Sequence, residues 1–366
     1  MKSETQYLTY TPWQGQLNNT RMCFETALVL AYLSRRCLVM PREYRRHHEP
    51  EVEAGRFRPL HPEECFELET LDGIVHVLAR DEYDRCVAGA REPDQVDLVL
   101  EPGTAVFCFP KIPTPGSPEA GRLRDFAAAR QRFLEFTPEM EACRTLNVKS
   151  ATLEHFYSFF FLSQPQVDLE CKRLVRDHVR FRTAIIGAAG RIAGSLGNYC
   201  ALHVRRNDFF GLYPEQNIPA HCLLSNVRKR VPAGARLYIA TDETDPSYFA
   251  DLRNYYEVYF INHFKSLLPG SLPAGSLACI EQMICALATL FVGTRLSTFS
   301  AYITRLRGYY GAPDKNSYFT DGSPGSEMDD RGSPPFSWMN WVRSGNPLWG
   351  REFKEAWEFQ PEARGH

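Results

Sequence analysis

Four short segments combine residue types that can hold and activate a charged ligand. His203-Val204-Arg205-Arg206-Asn207-Asp208 closes an apolar run at 199–204. Two adjacent guanidiniums can neutralise a diphosphate through charge-assisted forks, and the acid beside them can orient one arginine or bind a sugar hydroxyl. Ile239-Ala240-Thr241-Asp242-Glu243 ends the next apolar run with a carboxylate able to accept from a ribose hydroxyl or a purine edge. Leu296-Ser297-Thr298-Phe299-Ser300 opens a segment of helical period, where hydroxyls, bare N–H groups and the helix dipole hold an anion without a metal. Gln14-Gly15-Gln16-Leu17-Asn18-Asn19 sets a glycine and amide side chains before the first strong helix, suited to close approach of a polar ligand. Each segment also has a purely structural reading. The arginines suit a solvated turn with a salt bridge, while Asp242, Glu243, Ser297, Thr298 and Asn19 suit helix caps. Three strand ends that all present ligand-type residues favour a binding site.

These segments must be positioned by regular elements. Phe24, Ala27, Leu28, Ala31 and Tyr32 give 21–36 a helical face, and 37–40 reads as a buried strand stopped by Pro41. Residues 41–62 are dense in Pro, Arg and Glu, and 104–109 reads as a further strand. A long helical pattern over 166–192 joins two halves. Strands at 199–204, 236–240, 258–261 and 290–293 then alternate with helices at 220–230, 246–256, 276–288 and 298–307. That order with short connections predicts a parallel, Rossmann-like sheet, with ligands outside the carboxyl ends of its strands. Gly187, Gly190 and Gly194 lie on a helical stretch, where they are expected to serve close packing. The chain of 366 residues is long enough for two domains of ~100–200 residues. We expect a first domain over 1–165, a second over 166–310, and a tail over 311–366. The tail turns to Gly, Ser, Pro and Asp at 321–335, and Trp338, Trp341, Trp349 and Trp357 suggest that it packs back on the body.

Several function classes are disfavoured. A net charge of −2 argues against a dedicated nucleic-acid binder. Residues 1–13 lack the apolar core of a secretory signal. The longest apolar runs, 156–162 and 184–196, fall short of a membrane span. Eleven cysteines, an odd number with no C-x-x-C pair, read as reduced thiols and lead to the expectation of a cytoplasmic protein. There is no phosphate-binding G-x-x-x-x-G-K-[ST] loop, no G-x-G-x-x-G after a strand, and no G-x-S-x-G elbow. No D-x-D occurs in a metal-presenting loop, and His47-His48 lacks a partner at zinc-ligand spacing, so no metal site is expected.

In their order along the chain, the four motifs resemble those of the GDP-fucose fucosyltransferase superfamily. That group holds the protein O-fucosyltransferases, the α-1,6-fucosyltransferases and the nodulation fucosyltransferase. The likeness runs through Gly15-Gln16-Leu17-Asn18-Asn19, His203 to Asp208, Ala240-Thr241-Asp242-Glu243 and Ser297-Thr298-Phe299-Ser300-Ala301-Tyr302. It covers 199–307 throughout, but only residues near 10–40 of the first half. The resemblance implies an α/β protein of two Rossmann-like domains facing a cleft, the GT-B architecture, with the donor held mainly by the second. It implies GDP-fucose as donor, no other cofactor and no metal. His203 would reach the guanosine and Arg205 the β-phosphate, with Arg206 matching the second arginine of the α-1,6 and nodulation branch. Asp242 and Glu281 match acidic positions near the nucleoside. Ser297, Thr298, Phe299 and Ser300 match the phosphate-binding turn, and Asn19 an amide facing the reacting centre.

The implied reaction is an inverting displacement at the anomeric carbon, moving L-fucose to a hydroxyl of a protein or saccharide acceptor. A fixed Arg205 guanidinium would stabilise the charge growing on the departing diphosphate, so Arg205 and Asn19 are the expected catalytic residues. The base is open, because Gln16, Asn18 and Asn19 cannot take a proton. Two alternatives stand beside this reading. One is a GT-B transferase for another nucleotide sugar; the other is a nucleotide-binding module without turnover, which the amide-only loop favours.

Overall fold

The computed structural model describes residues 5–12, 17–42, 62–88, 94–98, 106–107, 133–134, 136–149, 165–207, 209–212, 217–270, 272–273, 275–294, 297–311, 317–320 and 329–330. Outside them lie Gly15, Gln16, Asp208, most of the 41–62 stretch, the apolar run 156–162 and the tryptophan-rich end. The chain divides into two compact units, Met1–Arg180 and Phe181–His366.

The first unit is built on β1 (Tyr7–Tyr10), α1 (Leu17–Ser34), β2 (Cys37–Val39), β3 (Val77–Leu78), α2 (Arg80–Val87), β4 (Gln95–Leu98), β5 (Val106–Phe107), β6 (Phe133–Leu134), β7 (Thr145–Val148) and α3 (Pro165–His178). Five strands form one parallel sheet in the order β3-β2-β1-β7-β4, and β5 pairs with β6 apart from it. The apolar face of α1 forms as its spacing requires, and Phe24, Ala27, Leu28 and Ala31 are fully buried. The same helix buries charge. Arg21 Nε lies 2.7 Å from Glu25 Oε1, and Arg21 Nη2 donates to the Val179 carbonyl at 3.1 Å. Either charge alone would cost several kcal/mol to bury, so pair and carbonyl belong together. The helix ends where Arg35 takes a left-handed φ of 55° and Arg36 N returns to Ala31 O at 2.9 Å. The buried Arg36 guanidinium then donates to the carbonyls of Met140 (2.7 Å) and Cys143 (2.9 Å), tying the helix end to the approach of β7.

The single helix expected over 166–192 is two. Helix α3 stops at His178, and α4 (Thr183–Leu196) begins the second unit. Between them Val179 and Phe181 are buried while Arg180 and Arg182 are exposed, a period of two that is extended rather than helical. The freed carbonyls are used elsewhere, Val179 O by Arg21 and Arg180 O by Glu67 N at 3.0 Å. Helix α3 touches α1 and the turn Leu68–Leu71, which places it with the first unit.

The second unit continues with β8 (Tyr199–Val204), α5 (Ala220–Val227), β9 (Arg236–Thr241), β10 (Glu257–Tyr259), α6 (Ser276–Leu287), β11 (Leu290–Thr294), α7 (Thr298–Tyr309), β12 (Ser317–Thr320) and β13 (Asp329–Asp330). Its sheet runs β10-β9-β8-β11-β12-β13, parallel except for the β12–β13 pair. All six residues of β8 are buried, as a central parallel strand covered on both faces requires. Leu237 and Ile239 of β9 pack with Leu223 and Val227 of α5 on one face. The expected helix at 246–256 is a 3-10 turn, Pro246–Phe249, followed by the short helix Ala250–Arg253. Phe249 and Leu252, three apart, are the residues that these two turns, 246–253, bury, and that spacing suits the tighter turn.

Gly187, Gly190 and Gly194 do lie on α4, but not to admit a neighbour. A Cβ at Gly190 or Gly194 would meet nothing within 4 Å, and at Gly187 only Arg191 Nη1 at 3.6 Å. Among the described residues no helix is long and apolar enough to cross a membrane, and the ten described cysteines are all free.

Candidate functional site

Strand β8 comes first in its sheet and lies between β9, the second, and β11, which follows β10. The chain crosses over between β10 and β11, so the strand order reverses at β8 and β11. Parallel α/β sheets bind ligands at such a point. The polar residues of three motifs meet there.

His203, at the end of β8, is buried, with Nδ1 2.7 Å from Ser300 Oγ and its ring against Phe299 at 4.6 Å between centroids. Ser300 Oγ also accepts from Thr294 N at 2.9 Å. Thr294 Oγ1 donates to the His203 carbonyl at 2.9 Å and accepts from Arg205 N at 3.0 Å. The ends of β8 and β11 and the first turn of α7 are thus hydrogen-bonded into one frame. Gly293 makes it possible, because a Cβ there would stand 2.8 Å from both Cβ and Oγ of Ser300. Burial, aided by the positive charge of Arg205, lowers His203 to about 3. The imidazole is therefore neutral near pH 7, with one nitrogen donating and the other accepting, and its Ser300 contact dictates what Nε2 offers.

The two adjacent arginines have different surroundings. Arg205 Nη1 lies 2.9 Å from Asp242 Oδ2, each side chain 18% exposed. Arg206 Nε donates to Glu243 Oε2 at 2.5 Å and Nη1 to Ile218 O at 3.1 Å. Its guanidinium lies 3.8 Å over the Tyr248 ring, whose hydroxyl donates to the same Ile218 carbonyl at 2.7 Å. Arg206 N donates to Asp242 Oδ1 at 2.8 Å, and the Asn207 amide bonds the Asp242 carbonyl.

The capping alternatives resolve unevenly. Asp245, not Asp242 or Glu243, caps the turn after β9, accepting from Ser247 N at 2.9 Å, while Glu243 Oε1 accepts from Asp245 N at 2.8 Å. Ser297 occupies the N-cap position of α7 but makes no side-chain capping bond, and Thr298 is the first helical residue. Glu281 lies on α6, where Tyr238 Oη donates to it at 3.1 Å. Burial raises its carboxyl to about 7, with the tyrosine bond pulling the other way. Tyr238 precedes the end of β9 by three residues, ~10 Å of strand, so Glu281 sits deeper than the strand ends.

In the first unit α1 starts at Leu17, after the carboxyl end of β1. Asn18 is buried and Asn19 half-buried in its first turn, so Asn19 lies inside the helix rather than at its cap. The sequence motifs did not include Gly293, Thr294, Glu243 as a partner of Arg206, or Tyr248. A strand drawn one residue longer would have reached Thr294; no local pattern marks Tyr248. Among the described residues no group of three or more His, Cys, Asp or Glu side chains could hold a metal ion.

A parallel Rossmann-like sheet with its polar residues collected at the switch point is the arrangement of nucleotide-binding α/β proteins. The model of the family described as GDP-fucose protein O-fucosyltransferase matches residues 7–310. The chain belongs to that family. It is 30% identical to GDP-fucose protein O-fucosyltransferase 2 of Homo sapiens over 157 residues, 39% of this chain and 34% of that protein. The match thus spans about a third of that relative's length. Among solved structures, POFUT1 in complex with GDP is 18% identical, with a TM-score of 0.51, over 87% of this chain and 99% of that one. NodZ alpha-1,6-fucosyltransferase soaked with GDP-fucose is 14% identical, with a TM-score of 0.50, over 89% of this chain and 100% of that one. These two likenesses carry the fold, the two-sheet α/β arrangement of the GT-B fucosyltransferases.

Proposed function

We propose that this chain transfers L-fucose from GDP-fucose to a hydroxyl of a protein or saccharide acceptor. In this reading the second unit holds the donor at the switch point. The hydrogen-bonded frame of His203, Arg205, Thr294 and Ser300, in a chain of this family, is the observation that carries it. His203, held neutral, offers a hydrogen bond to the guanosine. The first turn of α7, with Ser297 not capping it, offers N–H groups and a helix dipole to the diphosphate.

As the glycosidic bond breaks, negative charge grows on the leaving diphosphate, and the Arg205 guanidinium stabilises that charge more than the ground state. Fixed cationic and N–H groups supply this stabilisation without a divalent metal. The displacement inverts the anomeric centre through an oxocarbenium-like state.

Calorimetric titration with GDP, UDP and ADP in EDTA, followed by assay of fucose release and transfer, tests the proposal. We expect selective GDP binding and donor turnover that survives chelation. Arg205→Ala should lower kcat by ~10²–10³, the scale of one lost oxyanion-hole donor. Preference for UDP, or undiminished turnover in Arg205→Ala, would overturn the donor assignment. GDP binding without donor hydrolysis or transfer would instead support a nucleotide-binding module, which the amide side chains Asn18 and Asn19 at the start of α1 favour.

A further inference from the structure

We propose that Asp242 is a positioning residue for Arg205 rather than a ligand of the nucleoside, and that Arg206 is part of the same support rather than a second phosphate ligand. The proposal rests on the donor site described above and assigns the work within it.

Both carboxylate oxygens of Asp242 face the turn that follows β8. Oδ2 lies 2.9 Å from Arg205 Nη1, and Oδ1 accepts from Arg206 N at 2.8 Å. Its own carbonyl accepts from the Asn207 side chain. One residue at the end of β9 therefore engages three consecutive residues of the neighbouring strand's turn. Thr241 Oγ1 adds a bond to the Val204 carbonyl at 2.8 Å, closing the seam between the two strand ends. A residue meant to read ribose or base would keep a carboxylate oxygen accessible to the ligand; here Oδ1 is hydrogen-bonded to the protein and Oδ2 is buried in the ion pair with Arg205.

Arg206 is engaged from three sides. Glu243 takes Nε, the Ile218 carbonyl takes Nη1, and the Tyr248 ring lies 3.8 Å from the guanidinium. The Arg206 and Glu243 side chains are 17% and 12% exposed, so a ligand would have to break a largely buried pair to recruit this arginine. Holding Arg206 this way fixes the backbone on which Arg205 stands, and Asp242 then fixes the Arg205 fork itself. A guanidinium of many rotamers thus meets the diphosphate already oriented.

Asp242→Asn is the surgical variant. Its amide oxygen can still accept from Arg206 N, but its amide nitrogen cannot accept from Arg205 Nη1. Titration with GDP and with guanosine separates the two roles, since only GDP carries the phosphates that Arg205 would hold. We expect Asp242→Asn to lose about tenfold or more in GDP affinity, the scale of one charged hydrogen bond, with guanosine binding within twofold of wild type. In an Arg205→Met background the substitution should have no further effect on GDP, and Asp242→Glu should recover part of the loss. Equal weakening of guanosine and GDP, or the same loss with Arg205 absent, would make Asp242 a direct ligand and overturn the proposal. Unchanged GDP affinity in Asp242→Asn would overturn it as well. Should Asp242→Asn unfold, Glu243→Gln provides a second reading, with loss of GDP but not guanosine affinity expected and no loss overturning the supporting role of Arg206. Failure of the wild-type protein to bind GDP would instead remove the donor site itself, an outcome distinct from all of these.

Discussion

Gly293→Ala tests the frame that holds the site together. A Cβ at 293 would stand 2.8 Å from Ser300 Cβ, 2.8 Å from Ser300 Oγ and 3.1 Å from Phe291 Cε1. Carbon atoms in contact prefer about 3.5–4.0 Å, so α7 must retreat by roughly 1 Å or Ser300 must turn away. Turning is costly, because Ser300 is fully buried and its hydroxyl serves both Thr294 N and His203 Nδ1. Overpacking of this kind costs about 1–3 kcal/mol, and a buried hydrogen bond left unmade about 1–3 kcal/mol more. The smaller entropy of alanine in the unfolded chain returns about 0.4–1 kcal/mol. The balance is a loss of about 3 kcal/mol, or a fall in Tm of about 6–12 °C for a unit of this size. Urea and thermal unfolding measure it, and calorimetry with GDP reads the second effect, a weaker donor site as Ser300 and His203 separate. Unchanged unfolding and unchanged GDP affinity would refute the reasoning, since the spacing between β11 and α7 would then be free to relax.

The helical glycines give the opposite expectation. With open space at both positions, Gly190→Ala and Gly194→Ala should each stabilise by about 0.5–1 kcal/mol, read as a rise in Tm. His203 predicts a pH dependence. The unfolded chain takes up a proton below about pH 6.5 that native His203 refuses until about 3, so its contribution is intact above 6.5 and lost as pH falls through that window. Its share of the slope is about 1.4 kcal/mol per pH unit, and His203→Gln should flatten the urea-measured profile between pH 6 and 4 relative to wild type. Arg307 donates to the carbonyls of Ala286 (3.2 Å), Ala288 and Thr289 (3.4 Å) at the end of α6. Arg307→Met should therefore cost about 2–4 kcal/mol in urea unfolding, by stranding buried acceptors at the negative end of a helix.

The second sheet was legible because burial on both faces writes an unbroken apolar run. Strand β8 emerges over the expected residues, and β9 and β11 each run one residue further, onto Thr241 and Thr294, whose hydroxyls bond the backbone of the neighbouring strand. The first sheet was mostly illegible for the converse reason. Strands β3 and β4 are two and four residues long, and the β4 sequence Gln-Val-Asp-Leu, at an edge, is half polar. No proline or glycine marks the break between α3 and α4 in the sequence. What stops the helix is demand from a distance, with Arg21 and Glu67 taking carbonyls that a continuing helix would have used.

The residue types of the site could be read from the sequence, but their division of labour could not. Arg205 and Arg206 are chemically identical neighbours, each paired with one acid of the Asp242-Glu243 motif, and Ile218 and Tyr248, outside both motifs, add the further contacts that enclose Arg206. Charge counting misleads in the same way. Two arginines at the end of β8 suggest a strongly positive pocket, yet Asp242 and Glu243 stand beside them and the four charges cancel. Attraction for a diphosphate must then come from arrangement. Glu243 is turned inward against Arg206, while Asp242 lies against Arg205 and orients it. The dipole and N–H groups of α7 add positive potential that no formal charge reports. A neutral set of side chains can thus form an anion site, because its negative members are turned to the protein while a helix N-terminus adds positive potential beside its arginines.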